Sequence, residues 1–334
     1  MIRPIPHELE SGRGVLVWGA LGFLGQHIVE RLLQENVPVS VLCRASRSHP
    51  VPAWAAKVHW FEFREEDASS ALLAAVRSAS VIFDFAGLSG AAASNLDPVR
   101  SLDENCGTHL AFLRACEQAG HRPHVVFPSS WLVYDASNGR SVDETYPTAP
   151  RSIYGVHKLT VENYLRIYQR RDKISYTVCR VSNPYGFDPA KNSRNYKILN
   201  SFIQSALADR PICIFGDGRQ LRDFIYIDDV IDALMLCGFA REARNEVFNI
   251  SSGQSHSLLE AVEIVRDLVG APQVLFKPWP EEYCAAEPGD CYADISKARS
   301  RLNFQPAWSL KAGLRAAISH YQQGGNFLVR EAAR

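Results

Sequence analysis

Short apolar runs alternate with longer stretches of helical apolar spacing along the chain up to Val181. Apolar runs of this kind are typical of parallel strands that are buried on both faces. The predicted strands are Val15–Trp18, Pro38–Cys43, Val58–Phe63, Ser80–Ala86, His124–Ser129 and Ile174–Val181. The predicted helices are Gln26–Gln34, Ala68–Arg77, Pro98–Ala119 and Ile153–Arg171. Because strands that alternate with helices indicate βαβ units, we expect an α/β fold with a doubly wound parallel sheet.

The first predicted strand runs directly into a glycine-rich turn. Gly19, Gly22 and Gly25 follow that strand, and a helical pattern begins immediately after them. Glycines let the backbone turn sharply and approach a pyrophosphate, which can then bind at the helix N-terminus. The Gly-x-x-Gly-x-x-Gly spacing departs from the common dinucleotide fingerprint, and a glycine turn without a ligand would look the same. The turn therefore predicts a Rossmann-type dinucleotide site only in combination with a second motif.

That second motif is the pair Tyr154 and Lys158, which are four residues apart. Residues at this spacing share one face of a helix, so the phenol and the ammonium point the same way. An adjacent cation favours the phenolate and lowers the tyrosine pKa from its usual value of about 10. Tyr154 is therefore a candidate acid and base for a sugar or alcohol hydroxyl. His157 lies on another face of the predicted helix, where we expect a satisfied or solvated histidine.

The regular alternation of strands and helices ends near Asn183, where clusters of Gly, Pro, Asn and Asp begin. We expect residues 12–182 to form the dinucleotide-binding domain and residues 183–325 to form mainly a smaller substrate-binding lobe. Segments within about 224–250 are expected to return to the first domain. A lobe in this place would cover the carboxyl ends of the strands, where an open parallel sheet binds its ligands.

Composition and charge argue against several classes of protein. The 334 residues are 46% hydrophobic and 22% charged with a formal net charge of zero, so we expect no nucleic-acid or acidic-membrane partner. No apolar run approaches the ~18 residues that a membrane-spanning helix needs. The eight cysteines are scattered and form no Cys-x-x-Cys pair. They indicate small buried side chains in a reducing cytoplasm, with no disulfide framework and no metal site.

The two motifs belong to a longer series of ordered blocks. The blocks are Val17–Gly25, Phe85–Leu88, Asn105–Thr108, Ser129–Tyr134, Tyr154–Lys158, Arg180–Gly186, Arg222–Asp229, Pro288–Asp290 and Ala293–Ala298. From about Gly14 to Tyr321 the chain resembles an extended short-chain dehydrogenase/reductase, the group that contains nucleotide-sugar epimerases, dehydratases and reductases. The resemblance also implies a homodimer formed through the helices predicted at Pro98–Ala119 and Ile153–Arg171.

The resemblance implies a role for each candidate catalytic residue. Tyr154 would be the base, and Lys158 would hold the nicotinamide ribose and bias the phenol. Ser130 would hydrogen-bond the reacting oxygen of the substrate, and Asn105 would support the site. The simpler alternatives are a strand-end hydroxyl for Ser130 and an amide paired with the backbone for Asn105.

The cofactor that the resemblance implies is NAD(P). In the NAD-preferring pattern, an acidic residue ends the second strand and binds the ribose 2′-hydroxyl. Arg44 and Arg47 stand there instead, and guanidinium groups suit a 2′-phosphate, so the sequence favours NADP over NAD. An ordinary solvated loop with arginines is the alternative, and Glu62 would replace the family's usual aspartate at the adenine. The residues expected beside the cofactor are Gly19, Gly22, Phe23, Leu24, Gly25, Arg44, Glu62, Phe63, Ala86, Gly87, Tyr154 and Lys158.

The residues after Ser130 bear on the type of reaction. Dehydratases and decarboxylases that resemble this chain carry acidic residues there, whereas Trp131 and Leu132 cannot exchange a proton. Dehydratase and decarboxylase reactions are therefore disfavoured, which leaves a nucleotide-sugar 4-epimerase, which inverts C4 through a transient 4-keto sugar, and an NADPH-dependent 4-keto-sugar reductase. The epimerase is placed ahead of the reductase. Phe85–Leu88 is similar to the galactose-epimerase branch, although Ser89 replaces the lysine of that branch. A non-catalytic NADP-binding sensor is the least favoured hypothesis.

The resemblance also implies that the second lobe holds a nucleotide sugar. The residues at the family's substrate positions are Ser130, Asn183, Lys197, Phe215, Arg222 and Asp290. Phe215 would flank the base, Arg222 and Lys197 would contact phosphate, and Asp290 would contact a ribose. Core packing is an equally good explanation for Phe215.

One departure from the family pattern concerns the diphosphate. Glu287 stands where the family carries a phosphate-binding arginine, and a glutamate would repel a diphosphate. The phosphate would then be bound by another residue, such as Arg219 or Lys277, or the substrate would differ from a standard nucleotide sugar.

Overall fold

The computed structural model describes residues 12–45, 51–64, 68–135, 140–189, 198–270, 272–280, 289–290 and 292–323. The strands are β1 Gly14–Trp18, β2 Val39–Arg44, β3 His59–Phe63, β4 Ala79–Asp84, β5 His124–Ser130, β6 Ser141–Val142, β7 Ser175–Val181, β8 Asn183–Tyr185, β9 Ile212–Phe215, β10 Leu221–Tyr226, β11 Glu246–Ile250, β12 Ser255–Ser257, β13 Val274–Lys277 and β14 Tyr292–Ala293. The helices are α1 Phe23–Gln34, α2 Ala68–Arg77, α3 Ala91–Leu96, α4 Pro98–Leu102, α5 Thr108–Gln118, α6 Ile153–Arg170, α7 Ile198–Leu207, α8 Ile227–Phe239, α9 Leu258–Val269, α10 Ser296–Leu302 and α11 Leu310–Gln322. Within the described ranges, each of these helices is too short or too polar to cross a bilayer.

The main sheet has seven parallel strands in the order β11-β7-β5-β4-β1-β2-β3. Alternate residues of β1 point to opposite faces, so Val15 and Val17 pack towards α1 and α8, while Leu16 and Trp18 pack towards α2, α5 and α6. Because helices cover both faces, the strands are apolar runs, and β5 and β7 are buried along their whole length. The predicted α/β fold with a Rossmann-type, doubly wound parallel sheet is confirmed.

Two differences between predicted and observed elements bear on the site. The strand predicted at Ser80–Ala86 ends at Asp84, because the Asp84 carboxylate accepts the backbone N–H of Ala86 (3.2 Å) and the chain turns there. The helix predicted at Pro98–Ala119 is divided into α4, a π-helical turn at Asp103–Gly107 and α5. Apolar spacing does not reveal a π-helical turn, since such a turn inserts a single residue into an otherwise regular helix.

Three small sheets follow the main sheet in the described part of the chain: β12-β10-β8, β13-β9 and β14-β6. Only Ser182 separates β7 from β8, so the chain passes from the carboxyl edge of the main sheet directly into the first small sheet. β11 then returns to the main sheet, where Val247 lies opposite Val178 of β7. This path places β8 and β10 beside the edge at which the strands of the main sheet end.

Candidate active site

The turn between β1 and α1 brings backbone segments unusually close together. Gly19 has φ +80°, and a Cβ there would lie 2.8 Å from the backbone of Phe85. A Cβ added at Gly25 would overlap the carbonyl oxygen of Gly19. Gly22 precedes the first turn of α1, and no side chain caps that turn. The positive end of the helix dipole is therefore left to attract an anion such as a pyrophosphate.

A cavity of about 330 Å³ opens at the carboxyl edge of the main sheet. The strand order places β1 next to β4 and β4 next to β5, so segments that are distant in sequence line the same space. The lining residues are Gly22, Phe23, Leu24, Gly25, Phe85, Ala86, Gly87, Leu88, Ser89, Pro128, Ser129, Ser130, Tyr154, Lys158, Val181, Ser182 and Pro184. The glycine turn and the uncapped helix end form a cradle that fits a nicotinamide dinucleotide.

Tyr154 and Lys158 lie one helical turn apart on α6 and both line the cavity. Ser152 caps this helix with its side chain and so fixes the start of the turn that carries Tyr154. The Lys158 ammonium donates a hydrogen bond to the carbonyl oxygen of Pro128 (2.8 Å) and lies 5.7 Å from the centre of the Tyr154 ring. The two side chains therefore face the same space without a direct hydrogen bond.

Burial dominates the electrostatics of this pair. Burial lowers the pKa of Lys158 to about 8, while the carboxylates of Asp84 and Glu162 act in the opposite direction. Burial also raises the pKa of Tyr154 above its usual value. The expectation that Lys158 lowers the tyrosine pKa is therefore wrong for the protein chain by itself, because desolvation of the phenol outweighs the influence of the lysine.

Strand β5 ends in two serines with different surroundings. Ser130 lines the cavity, and its hydroxyl oxygen accepts the backbone N–H of Leu132 (3.2 Å). Ser129 donates a hydrogen bond to Glu162 (2.6 Å), which forms a buried ion pair with Arg180 (2.7 Å). The sequence patterns did not predict this ion pair, although Glu162 lies one helical turn after the candidate lysine. The ion pair anchors the strand end that presents Ser130 to the cavity.

Asn105 lies in the π-helical turn, outside the lining of the cavity. Its side-chain oxygen accepts the backbone N–H of Leu88 (2.9 Å), and its amide nitrogen donates to Ser101 (3.2 Å). Gly87 has φ +106°, and a Cβ there would overlap the Asn105 oxygen. The Ser101 hydroxyl also bonds to the buried His157 ring (3.0 Å), which is therefore satisfied. Asn105 thus supports the loop that follows β4.

The predicted adenine-side residues lie at the ends of β2 and β3. Arg44 is opposite Phe63 in the sheet, and Glu62 is exposed on the same strand as Phe63. Arg44 is 55% exposed and forms an ion pair with Glu104 (3.2 Å). These residues lie at the carboxyl ends of β2 and β3, but they do not line the cavity. Arg47 lies outside the described residues.

Asn183 and Arg222 lie beside Trp131, next to the main cavity. Asn183 and Trp131 line a smaller adjoining space, and the Asn183 amide donates to the carbonyl oxygen of Asp223 (3.1 Å). The Arg222 guanidinium is buried, lies 5.9 Å from the centre of the Trp131 ring and donates to the carbonyl oxygen of Gly289 (3.0 Å). A positive charge is therefore held beside the tryptophan that follows Ser130.

Of the other predicted substrate residues, Asp290 and Phe215 do not line the cavity. Asp290 accepts a hydrogen bond from the first backbone N–H of β10 (2.7 Å), so that oxygen already has a structural partner. Phe215 is half-buried, and its ring centre lies 5.7 Å from that of Trp279. Lys197 and Glu287 lie outside the described residues.

The two alternative phosphate-binding residues are both on the surface. Arg219 is 85% exposed and lies 3.9 Å from Asp217. Lys277 is exposed at the end of β13. Neither side chain lines the cavity.

Comparison with known proteins gives a consistent result. The family model "NAD dependent epimerase/dehydratase family" matches residues 15–251. The Bacillus subtilis protein "Uncharacterized UDP-glucose epimerase YtcB" is 30% identical over 319 residues, which cover 92% of this chain and 97% of that protein.

Two solved structures extend the comparison to three dimensions. The UDP-glucose 4-epimerase of Thermotoga maritima, solved with UDP-glucose, has a TM-score of 0.84 and 26% identity over 93% of this chain and 99% of its own. MoeE5 in complex with UDP-glucuronic acid and NAD has a TM-score of 0.82 and 29% identity over the same shares of the two chains, 93% and 99%. The family match spans the glycine turn, Ser130, Tyr154 and Lys158. The resemblance identified in the sequence is confirmed, and the protein belongs to the NAD-dependent epimerase/dehydratase family.

Proposed function

We propose that the protein is a nucleotide-sugar 4-epimerase that inverts C4 of a hexose attached to a nucleoside diphosphate. The observation that carries the proposal is the convergence of Ser130, Tyr154 and Lys158 with the glycine turn on one cavity. A 4-epimerase needs no further acid or base, and Trp131 and Leu132 supply none after Ser130. The epimerase names and UDP-sugar complexes of similar proteins support this assignment.

The side chains divide the proton transfers between them. Tyr154, as phenolate, removes the proton of the C4 hydroxyl, while Ser130 donates a hydrogen bond to the same oxygen. A nicotinamide held by the glycine turn and Lys158 would supply the redox chemistry, namely reversible hydride exchange with C4 on either face of the sugar. Tyr154 then returns the proton to the new hydroxyl, and Lys158 stabilises the phenolate between the two transfers. The sugar leaves at its original oxidation level, so no external oxidant or reductant is consumed.

For the cofactor, we propose NAD. The preference for NADP suggested by Arg44 finds no support in the structure, where the guanidinium is engaged by Glu104. MoeE5, which is similar over nearly its whole length, is described with NAD. Because Glu104 engages the guanidinium, Arg44→Ala should leave the ratio of NAD affinity to NADP affinity nearly unchanged, whereas a selective loss of NADP affinity would show that Arg44 binds a 2′-phosphate.

For the substrate, we propose that Asn183, Phe215, Arg222 and Asp290 lie along the nucleoside diphosphate. The buried Arg222 charge beside Trp131 is the feature that best suits a phosphate. The half-buried Phe215 offers a ring for the base.

We further propose a homodimer formed through α4, α5 and α6. Large apolar side chains are exposed on these helices, including Val99 (69%), Leu102 (50%), Val156 (43%) and Ile167 (50%). Both α4 and α5 pack against α6, and large apolar side chains exposed on neighbouring helices are typical of a protein interface. The double substitution Leu102→Asp and Ile167→Asp should give a monomer in sedimentation analysis, whereas the wild type should give a dimer.

The two-lobe division at 12–182 and 183–325 and the cytoplasmic location also remain proposals. The return of β11 to the main sheet supports a first domain that regains part of 224–250. The described cysteines Cys43, Cys106, Cys116, Cys179, Cys213 and Cys237 are all free, which suits a reducing compartment.

The decisive experiment begins with the cofactor that the purified protein retains. Denatured protein should release stoichiometric NAD, and the native enzyme should interconvert UDP-glucose or UDP-glucuronic acid with its C4 epimer. Tyr154→Phe should lower kcat by a factor of about 10²–10⁴ without loss of NAD, because it removes the acid and base alone. Tyr164→Phe, on the same helix, is the matched control and should leave kcat unchanged. An empty protein that exchanges NADPH and reduces a 4-keto sugar would instead establish the reductase.

A further inference from the structure

Asp84 and His109 form a buried pair that the proposed reaction does not use. Asp84 ends β4, His109 lies on α5, and their side chains are 1% and 2% exposed with a carboxylate-to-ring distance of 3.2 Å. Among the described residues, neither ring nitrogen of His109 makes a well-aligned hydrogen bond. The rings of Trp18 and Phe127 pack against the imidazole at 5.6 and 5.5 Å. The pair is therefore enclosed by apolar rings at the carboxyl edge of the sheet.

This pair adjoins both the cofactor-side loop and the candidate lysine. The second oxygen of Asp84 accepts the backbone N–H of Ala86 (3.2 Å), and Ala86 lines the main cavity. The Phe127 ring contacts the His109 ring, and the Lys158 ammonium lies over the same Phe127 ring, 4.4 Å from its centre. A carboxylate, an imidazole, a phenyl ring and an ammonium are thus packed in succession beneath the site.

The two carboxylates that act on Lys158, those of Asp84 and Glu162, have different partners among the described residues. Burial lowers the pKa of Lys158 to about 8, and the groups that raise it are Asp84, Glu162 and the Cys106 thiolate. Burial raises the pKa of Cys106 to about 11, so this thiol is neutral near pH 7. Glu162 is already bound by Arg180 through two nitrogens (3.1 and 2.7 Å).

Two other titratable groups face this cluster and add no charge near neutral pH. Burial and the Asp84 charge both raise the pKa of the Cys116 thiol on α5. Burial raises the pKa of Tyr154 on α6. Among the described residues, Asp84 is the carboxylate near Lys158 that no arginine engages, whereas Glu162 is bound by Arg180.

We propose that Asp84, held in place by His109, is a positioning residue that keeps Lys158 cationic beside Tyr154. The inference rests on the proposed function, in which Lys158 must carry a positive charge to stabilise the phenolate. It assigns to this chain a buried counter-charge behind the proposed active site, at a position outside the motifs described above.

The test measures the charge of Lys158 directly and needs no substrate. Protein labelled with ¹³C-lysine and saturated with NAD is titrated by NMR, and the Lys158 signal is assigned by its loss in Lys158→Met. Asp84→Asn keeps an acceptor for the Ala86 N–H but removes the charge, so the Lys158 pKa should fall by about one unit. Asp103→Asn, which neutralises an exposed carboxylate in the π-helical turn, is the control and should leave that pKa unchanged.

His109→Gln separates an electrostatic role from a structural one. This substitution removes the imidazole from Asp84 but keeps the Asp84 carboxylate, so the Lys158 pKa should stay the same or rise. An unchanged pKa in Asp84→Asn, or an equal fall in both variants, would overturn the proposal. If Asp84→Asn does not fold, the double variant Asp84→Asn and His109→Gln places two amides together. The Lys158 pKa should fall in this double variant as well. Absence of epimerase activity in the wild type would reject the proposed function. The Lys158 titration needs no substrate, so it would still show whether Asp84 raises the Lys158 pKa.

Discussion

The proposed cofactor side and the proposed substrate side of the site are built in different ways. On the cofactor side, the glycine turn, the loop after β4 and the end of β5 meet in one cavity whose walls are backbone segments in close contact. On the substrate side, Phe215 and Asp290 lie outside that cavity on short strands and loops of separate small sheets. The first arrangement follows from sheet topology, because neighbouring parallel strands end at one edge. The second depends on loop conformations that no repeating pattern specifies.

This difference implies different sensitivities to substitution. Side chains and glycines on the cofactor side are fixed by several buried partners at once, so their replacement should cost stability as well as function. Side chains of the substrate lobe have fewer buried partners, and their replacement should affect mainly substrate affinity. Variants from the two regions can therefore support or contradict the comparison.

The largest effect is expected for Glu162→Gln on the cofactor side. This substitution leaves the buried Arg180 guanidinium without a counter-charge, and breaking a buried pair typically costs about 3–5 kcal/mol. Urea unfolding should show a loss of this size in the free energy of unfolding. Glu260→Gln breaks the exposed His256–Glu260 pair in the substrate lobe and should cost less than about 1 kcal/mol. Equal losses in the two variants would contradict the comparison.

A somewhat smaller effect is expected for Gly25→Ala. The added Cβ would overlap the Gly19 carbonyl oxygen, which cannot move freely because Gly19 itself lies against the backbone of Phe85. Overpacking of this kind costs about 1–3 kcal/mol, and the distorted turn should release NAD during purification. Gly107→Ala is the matched control, since a Cβ there meets no atom within 4 Å, and it should retain both stability and NAD. Full NAD retention in Gly25→Ala would show that the turn is not a close-contact cradle.

The same contrast explains how far the sequence could be interpreted. Strand and helix patterns predicted the parallel sheet, and the glycine turn with Tyr154 and Lys158 predicted which side chains share a cavity. The π-helical turn at Asp103–Gly107 and the ion pair between Glu162 and Arg180 were missed, because apolar spacing reveals neither a one-residue insertion in a helix nor which charges become buried together on folding. The direction of the Tyr154 pKa shift was wrong for the same reason, since burial is a property of the folded protein.

On the substrate side, a moderate effect is expected for Phe215→Ala. Stacking of a base on an aromatic ring is worth about 1–3 kcal/mol, so KM for a UDP-hexose should rise by roughly tenfold at unchanged kcat. Retained NAD and the free energy of unfolding should change little, because Phe215 is only half-buried. Phe276→Ala, on the neighbouring strand β13 and 55% exposed, is the control and should leave KM unchanged. A loss of stability without a change in KM would identify Phe215 as a core residue.

The smallest effect is expected where the two regions join, at Asp229 of α8. Its buried carboxylate accepts the backbone N–H groups of Ala307 (2.8 Å) and Trp308 (3.1 Å), and burial raises its pKa to about 6. Because the unfolded chain has the lower pKa, the folded state binds this proton more tightly, and the associated stability is lost as pH rises through about 6. Between pH 5 and pH 7 the wild type should lose about 1 kcal/mol of unfolding free energy relative to Asp229→Asn, which cannot titrate. Glu263→Gln, which neutralises an exposed carboxylate on α9, should track the wild type across this range. Parallel pH profiles of the unfolding free energy for wild type and Asp229→Asn would mean that protonation of Asp229 does not stabilise the contact between α8 and the segment at Ala307 and Trp308.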